Sequence, residues 1–226
     1  MIKEMWRGMS DIFLAIVIQA ITALIFLLIA TLRNHDSQYL FLLFNLMLAW
    51  APLLFIIILR RILIKHPWIS WQGILVSFLW LAFLPNSFYL FSDLMHLQNF
   101  HSVDVLFDIV MILMFAINGL IVGMISLYWF HKELIKRLGN NKSIFIVAGV
   151  ILSASFAIYL GRYLRWNSWD VLLNPLTLLF DISNPVFEPK TQTQAFSTTL
   201  AFFGFIGSCY LILVEAYKHI TIKSKF

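Results

Sequence analysis

Long apolar runs separated by short polar connections set the plan of this chain. Six runs can be read, at about 12–32, 39–59, 71–90, 105–128, 144–163 and 196–214. Each approaches the roughly 20 residues that a helix needs to cross a hydrocarbon core about 30 Å thick. A helix satisfies its own backbone where no water can reach it, so the pattern predicts an all-α, polytopic integral membrane protein. The expectation is one transmembrane domain, 1–226, of about six transmembrane helices and a short interfacial helix.

The polar positions refine this plan. Met1–Asp11 is a charged lead, and the run after it is too long for a signal-peptide core and ends without a clear cleavage site, so it is read as a retained span. Gln19 and Thr22 in that span are explained by helix contacts. Pro52 should kink the second span. Pro85 removes a backbone donor, which predicts a kink or break of the third span near the membrane surface, with Asn86 beside it. Asp93 and His96 follow, three apart, and share a face if the helix resumes. Lys132 to Lys142 reads as a basic loop before the fifth span. In the long connection from Asp170 to Gln194, Asn174 can cap the short helix, with Pro175 in its first turn and Leu176, Leu179 and Phe180 as its apolar stripe.

Composition strengthens the membrane assignment. At 61% hydrophobic and 12% charged residues, with a mean hydropathy of +0.87, the chain carries more apolar surface than one soluble core can hide. The single cysteine, Cys209, excludes an intrachain disulfide and reads as a small packing residue. The formal charge of +5 is spread over short connections, which argues against a nucleic-acid partner and for the bilayer as the main one. Of the 16 lysines and arginines, twelve fall in the lead, the second and fourth connections and the tail. The positive-inside rule then places both termini in the cytoplasm, and the polar motifs outside. His66, His131 and His219 lie in the basic connections and read as solvent-exposed.

Candidate chemistry gathers on the outer side. The run Tyr159–Asp170 places Arg162, Arg165, Asn167 and Asp170 directly after a span. Gly149, Ser153, Ala157 and Gly161 recur every four residues along that span, and Gly119 and Gly123 form a Gly-x-x-x-Gly pair in the fourth; small residues at this spacing let helices approach closely. If those two faces pack together, Asp104 and Asp108 arrive at the depth of Arg162 and Arg165 and pair with them. Asp93, His96 and Asn86 would join from the third span, giving one outward-facing polar pocket. There Arg162 and Arg165 would hold an anion, with Asn86, Asn167, Asp170 and Tyr89 lining the site. Asp93, His96 and Asp108 would do acid–base work, and Asp93, His96, Asp104 and Asp108 are the candidate ligands for a divalent metal, on a weak spacing signal. Ser87 and Ser168 are nucleophiles in principle only. The alternative account is anchoring: arginines at a span's end snorkel to headgroups, and Tyr163, Trp166 and Trp169 suit an aromatic belt.

Leu84–Leu97, reading Leu-Pro-Asn-x-x-Tyr-Leu-x-x-Asp-Leu-x-His-Leu, and Gly161–Asp170, reading Gly-Arg-Tyr-Leu-Arg-Trp-Asn-Ser-Trp-Asp, resemble a family of bacterial multi-spanning membrane proteins, domain of unknown function 1361. The resemblance runs from the second span to the last. It implies the positions to test and assigns no reaction. The residues themselves admit a site binding or processing an anionic lipid or lipid-linked envelope precursor, a transporter or lipid-handling protein, and a non-catalytic accessory subunit.

Overall fold

The computed structural model describes residues 2–34, 39–99, 105–174, 176–177, 180 and 189–223, leaving aside the side chains at 2–10, 34, 96–99, 171–172, 189–191 and 218–223. The described chain is helical throughout: α1 Ile2–Asn34, α2 Phe41–Lys65, α3 Trp71–Tyr89, a 3-10 segment Leu90–Asn99, α4 Val105–Leu138, α5 Asn140–Tyr163, a single turn α6 Asp170–Leu173, and α7 Pro189–Lys223. Six stretches are long and apolar enough to cross a membrane: Asp11–Arg33, Phe41–Lys65, Trp71–Met95, Val105–Leu138, Asn140–Tyr163 and Gln192–Tyr217. All six expected spans are therefore present, and the protein is a multi-pass membrane protein.

Side-chain exposure follows from that solvent. On α1, Leu14, Ile18, Ile21, Ile25, Leu28 and Leu32 are exposed at alternating three- and four-residue steps, whereas Ile16, Ala20, Ala23, Leu27 and Ala30 are buried. The larger side chains face outward, as expected where the surroundings are lipid tails and small residues let helices approach.

Two compact units are distinguished along the chain, Met1–Trp50 with Asn86–Gly123, and Ala51–Pro85 with Met124–Phe226. In the first, Tyr39, Leu42, Leu46, Leu90, Met111, Ile112 and Phe115 share a core with Ala23, Leu27 and Ala30. Asn118 is its polar tie. The Asn118 amide donates to the Ile16 carbonyl at 3.1 Å and to the Gln19 side-chain oxygen, and accepts from the Trp50 indole at 2.9 Å. Gln19 in turn donates to the Met114 carbonyl at 2.7 Å. Gly119 and Gly123 let α4 meet the end of α3: a Cβ on Gly119 would strike the Ser87 carbonyl oxygen, and one on Gly123 would lie 2.7 Å from Ser87 Cβ.

In the second unit, the Trp80 ring stacks on Phe130 at 3.9 Å and its indole donates to Ser126 Oγ at 2.7 Å. α5 packs on α7. The buried face of α5 differs from the expected one. Val147, Val150, Ile151, Ala154, Ser155 and Ile158 are buried, whereas Gly149 and Ser153 are exposed and a Cβ on Gly149 would meet nothing within 4 Å. Small residues permit close approach without compelling it, and bulkier side chains fill the contact here.

Two further expectations change. The stretch read as a basic loop continues α4 to Leu138, because Lys132–Arg137 are good helix formers and Glu133 pairs with Lys136 and Arg137 one turn on. The helix stops at Gly139, whose φ of 76° and ψ of 171° belong to a region that almost only glycine adopts. His131 is consequently buried: its Nδ1 lies 2.6 Å from the Tyr210 hydroxyl and its Nε2 3.2 Å from Ser143 Oγ. Ser143 donates to the Asn140 carbonyl, so the imidazole donates through Nε2 and accepts the tyrosine proton at Nδ1. Asn174 closes the α6 turn, and residues 176, 177 and 180 just beyond it are helical, with Leu176 and Phe180 exposed. Pro175 and Leu179 lie outside the described residues.

Candidate functional site

α3 passes through Pro85 and holds to Tyr89, then tightens into the ten-residue 3-10 segment. Such segments seldom exceed three or four residues, and long ones mark strain or function. This one carries Asp93, which is 1% exposed, and the side-chain amide of Asn45 in α2 donates to Asp93 Oδ2 at 2.9 Å. Asp108, in the first turn of α4, is 3% exposed and its Oδ2 accepts the Tyr39 hydroxyl at 2.7 Å. Both carboxylates belong to the first unit, and the partners named are neutral donors from α2 and its entry. Where the sequence reading expects a guanidinium at Asp108, the structure supplies a phenol. Asn45 stands out in the sequence as a polar residue inside a span; Tyr39 carries no such mark, because a tyrosine at a span's start reads as an interface anchor.

Asn86 and Tyr89 sit half-buried three residues apart on the last turn of α3, in the same unit. Ser87 is a packing residue here, buried and donating to the Ala49 carbonyl at 2.7 Å. His96 lies within the 3-10 segment, but its side chain, like the whole of Asp104 and His101, lies outside the described residues. Among the described residues no group of three or more metal-binding side chains occurs.

The arginine motif belongs to the second unit. α5 ends at Tyr163, two residues before Arg165, so that arginine does not continue the helix face that carries Gly149, Ser153, Ala157 and Gly161. Arg165 adopts φ 58°, the left-handed region, and the chain reverses around it, with the Leu164 and Trp166 amides both donating to the Leu160 carbonyl at 3.1 and 3.2 Å. An L-residue there costs roughly 1–2 kcal/mol, which is why glycine usually occupies such helix ends. The Arg165 side chain is exposed. Arg162 is half-buried one turn earlier, and Trp166 folds back against Tyr159, Leu160 and Ala195.

The next turn fastens Asn167 to Asp170. Asp170 Oδ2 accepts the Asn167 backbone N–H at 2.8 Å and its side-chain amide at 3.3 Å, and the Asp170 N–H donates to the Asn167 carbonyl at 3.0 Å. A carboxylate reaching back three residues to an N–H is the capping-box arrangement that starts a helical turn. Asn167 and Asp170 thus hold the turn after Arg165 in shape, a role that spacing alone suggests once the turn is recognised. Chemically, the motif presents an exposed guanidinium on a short, braced loop at a span's end, flanked by Tyr163, Trp166 and Trp169.

No curated protein and no solved structure matches the chain. A family model does, over residues 44–209, a stretch that takes in Asn45, the 3-10 segment, the Arg162–Asp170 motif and most of α7. On that match the chain belongs to the family described as Protein of unknown function (DUF1361).

Proposed function

We propose that this is a protein of a bacterial cytoplasmic membrane, with both termini cytoplasmic, that binds or processes an anionic lipid or a lipid-linked envelope precursor at its outward face. The observation that carries the reading is Arg165. Its backbone bears a left-handed conformation that glycine would take at less cost, and its exposed guanidinium has no hydrogen bond or ion pair among the described residues. A strained, exposed cation at the depth of the headgroups is accounted for by an anionic ligand better than by packing. In this reading Arg162 shares the anion, while Asn167 and Asp170 set the loop. In the first unit, and as a separate proposal, Asp93 and Asp108, with His96 as a further candidate, supply acid–base or metal chemistry, and Asn86 and Tyr89 orient there.

A lipid-handling transporter is the second reading. Two buried carboxylates held by Asn45 and Tyr39 favour it, since buried ionisable residues in spanning segments mark substrate and ion pathways. The test is a profile of envelope lipids and lipid-linked precursors in a strain lacking the protein. A species that changes on deletion, returns with the wild type and fails to return with folded Arg165→Gly or Asp93→Asn supports the proposal. A profile identical in all strains refutes it.

A further inference from the structure

A second charged locus lies far along the chain from the arginine motif, where α2 and α4 end in the second unit. Glu133 is buried, its side chain 6% exposed, and three cations converge on it. Arg60 Nε lies 3.3 Å from Oε1, Lys136 Nζ 2.7 Å from the same oxygen, and Arg137 Nη1 2.8 Å from Oε2 while also donating to the Glu133 carbonyl at 2.9 Å. Arg60 is stacked over Trp129 at 5.0 Å, and Arg137 over Trp68 at 5.3 Å. The carboxylate and the two indoles hold the cations close together where their mutual repulsion would spread them.

One carboxylate against three cations leaves a local charge of +2. The cations also stay reachable, with side-chain exposures of 39% for Arg60, 59% for Lys136 and 31% for Arg137. Both terminal nitrogens of Arg60, the Nε and Nη2 of Arg137 and the other ammonium hydrogens of Lys136 make no hydrogen bond among the described residues. Pairing for Glu133 alone needs one arginine. The surplus is unexplained by the protein's own groups, and a preorganised fork of donors is the form in which arginines take phosphate oxygens.

We propose that this locus is a binding site for an anionic phospholipid carrying two phosphodiester groups. Three features select that ligand. The charge of +2 matches two monoanionic phosphates. The site sits at the ends of spanning helices beside Trp68 and Trp129, the level of headgroups and of interfacial indoles. Basic clusters between spanning helices are also the places where such headgroups dock. The site is independent of the Arg162–Arg165 reading and lies in the leaflet that the positive-inside rule assigns to the cytoplasm.

The test is native mass spectrometry of the detergent-purified full chain, titrated with cardiolipin, phosphatidylglycerol or phosphatidylcholine. Cardiolipin is expected to be retained most tightly and phosphatidylcholine least. Each cation removed should weaken cardiolipin binding about five-fold, so Arg60→Gln with Arg137→Gln should weaken it about 25-fold. Lys136→Gln, at the most exposed of the three, gives the single step in a protein that folds normally. Equal retention of the three lipids, or undiminished cardiolipin binding in Lys136→Gln, overturns the proposal. Displacement of cardiolipin by millimolar inorganic pyrophosphate, with no lipid preference left, would assign the locus to a soluble polyanion and overturn the lipid assignment.

Discussion

Replacing Arg165 by glycine separates a functional arginine from a structural one, because the two accounts predict changes of opposite sign. The backbone at position 165 is left-handed, with φ 58°. Removing Cβ there relieves about 1–2 kcal/mol. Against this, glycine loses more chain entropy on folding, about 0.5–1 kcal/mol. The net expectation is a gain of about 0.5–1 kcal/mol, which for a chain of this size raises the melting temperature by about 1–3 °C. Arg165→Ala keeps the strained backbone and removes only an exposed side chain, so it should stay within about 0.5 kcal/mol of wild type. Both variants remove the guanidinium and should fail equally to restore the lipid species in the deletion strain. Thermal unfolding of the purified proteins in one detergent, read beside complementation, provides the comparison. Arg165→Gly and Arg165→Ala proteins that both melt well below wild type would refute the reasoning, since that would mean that the side chain holds the fold together.

Other outcomes follow from named contacts. Gly119→Ala should cost about 1–3 kcal/mol, because its Cβ meets the Ser87 backbone and Leu90 Cδ1 at 2.7 Å, whereas Gly149→Ala, with nothing within 4 Å, should be neutral or gain up to about 1 kcal/mol; equal melting temperatures for the two would contradict the packing described. Asn118→Leu strands the Trp50 indole N–H and the Gln19 side-chain oxygen, so roughly 2–5 kcal/mol should be lost in thermal unfolding, and a loss under 0.5 kcal/mol would show that the network is dispensable. Asp93→Asn retains an oxygen to accept the Asn45 amide and should therefore fold at wild-type levels, as judged by size-exclusion chromatography, while failing to complement; full complementation would remove Asp93 from the chemistry. Gly139→Ala forces a side chain into φ 76°, ψ 171° and should lower the melting temperature by several degrees, the loss being confined to thermal unfolding and absent from lipid binding.

Local chemistry was legible in the sequence wherever the deciding free energy is local. The six spans follow from transfer of consecutive side chains into hydrocarbon, a sum taken over about 20 neighbours in the chain, and each appears within a few residues of its expected place except where a helix runs on past the membrane. α4 runs on because Glu133, Lys136 and Arg137 stabilise the helix that their charges suggested would end. The arginine motif was also visible, as a concentration of polar groups that lipid does not tolerate without a reason. What only the tertiary structure decided is which surfaces meet. Gly119 and Gly149 have the same local signal, but one lies against the Ser87 backbone and the other faces outward. His131 reads as a loop residue until Tyr210 and Ser143 close around it. Asp108 takes Tyr39, 69 positions away, and Glu133 draws in Arg60 from another helix, 73 positions away. Partner choice of this kind depends on contacts between segments remote in the chain, and no window along the sequence contains both members. The left-handed turn at Arg165 belongs to the same class: a single residue's φ is set by how Trp166 packs back on Tyr159 and Ala195, against the preference of arginine itself.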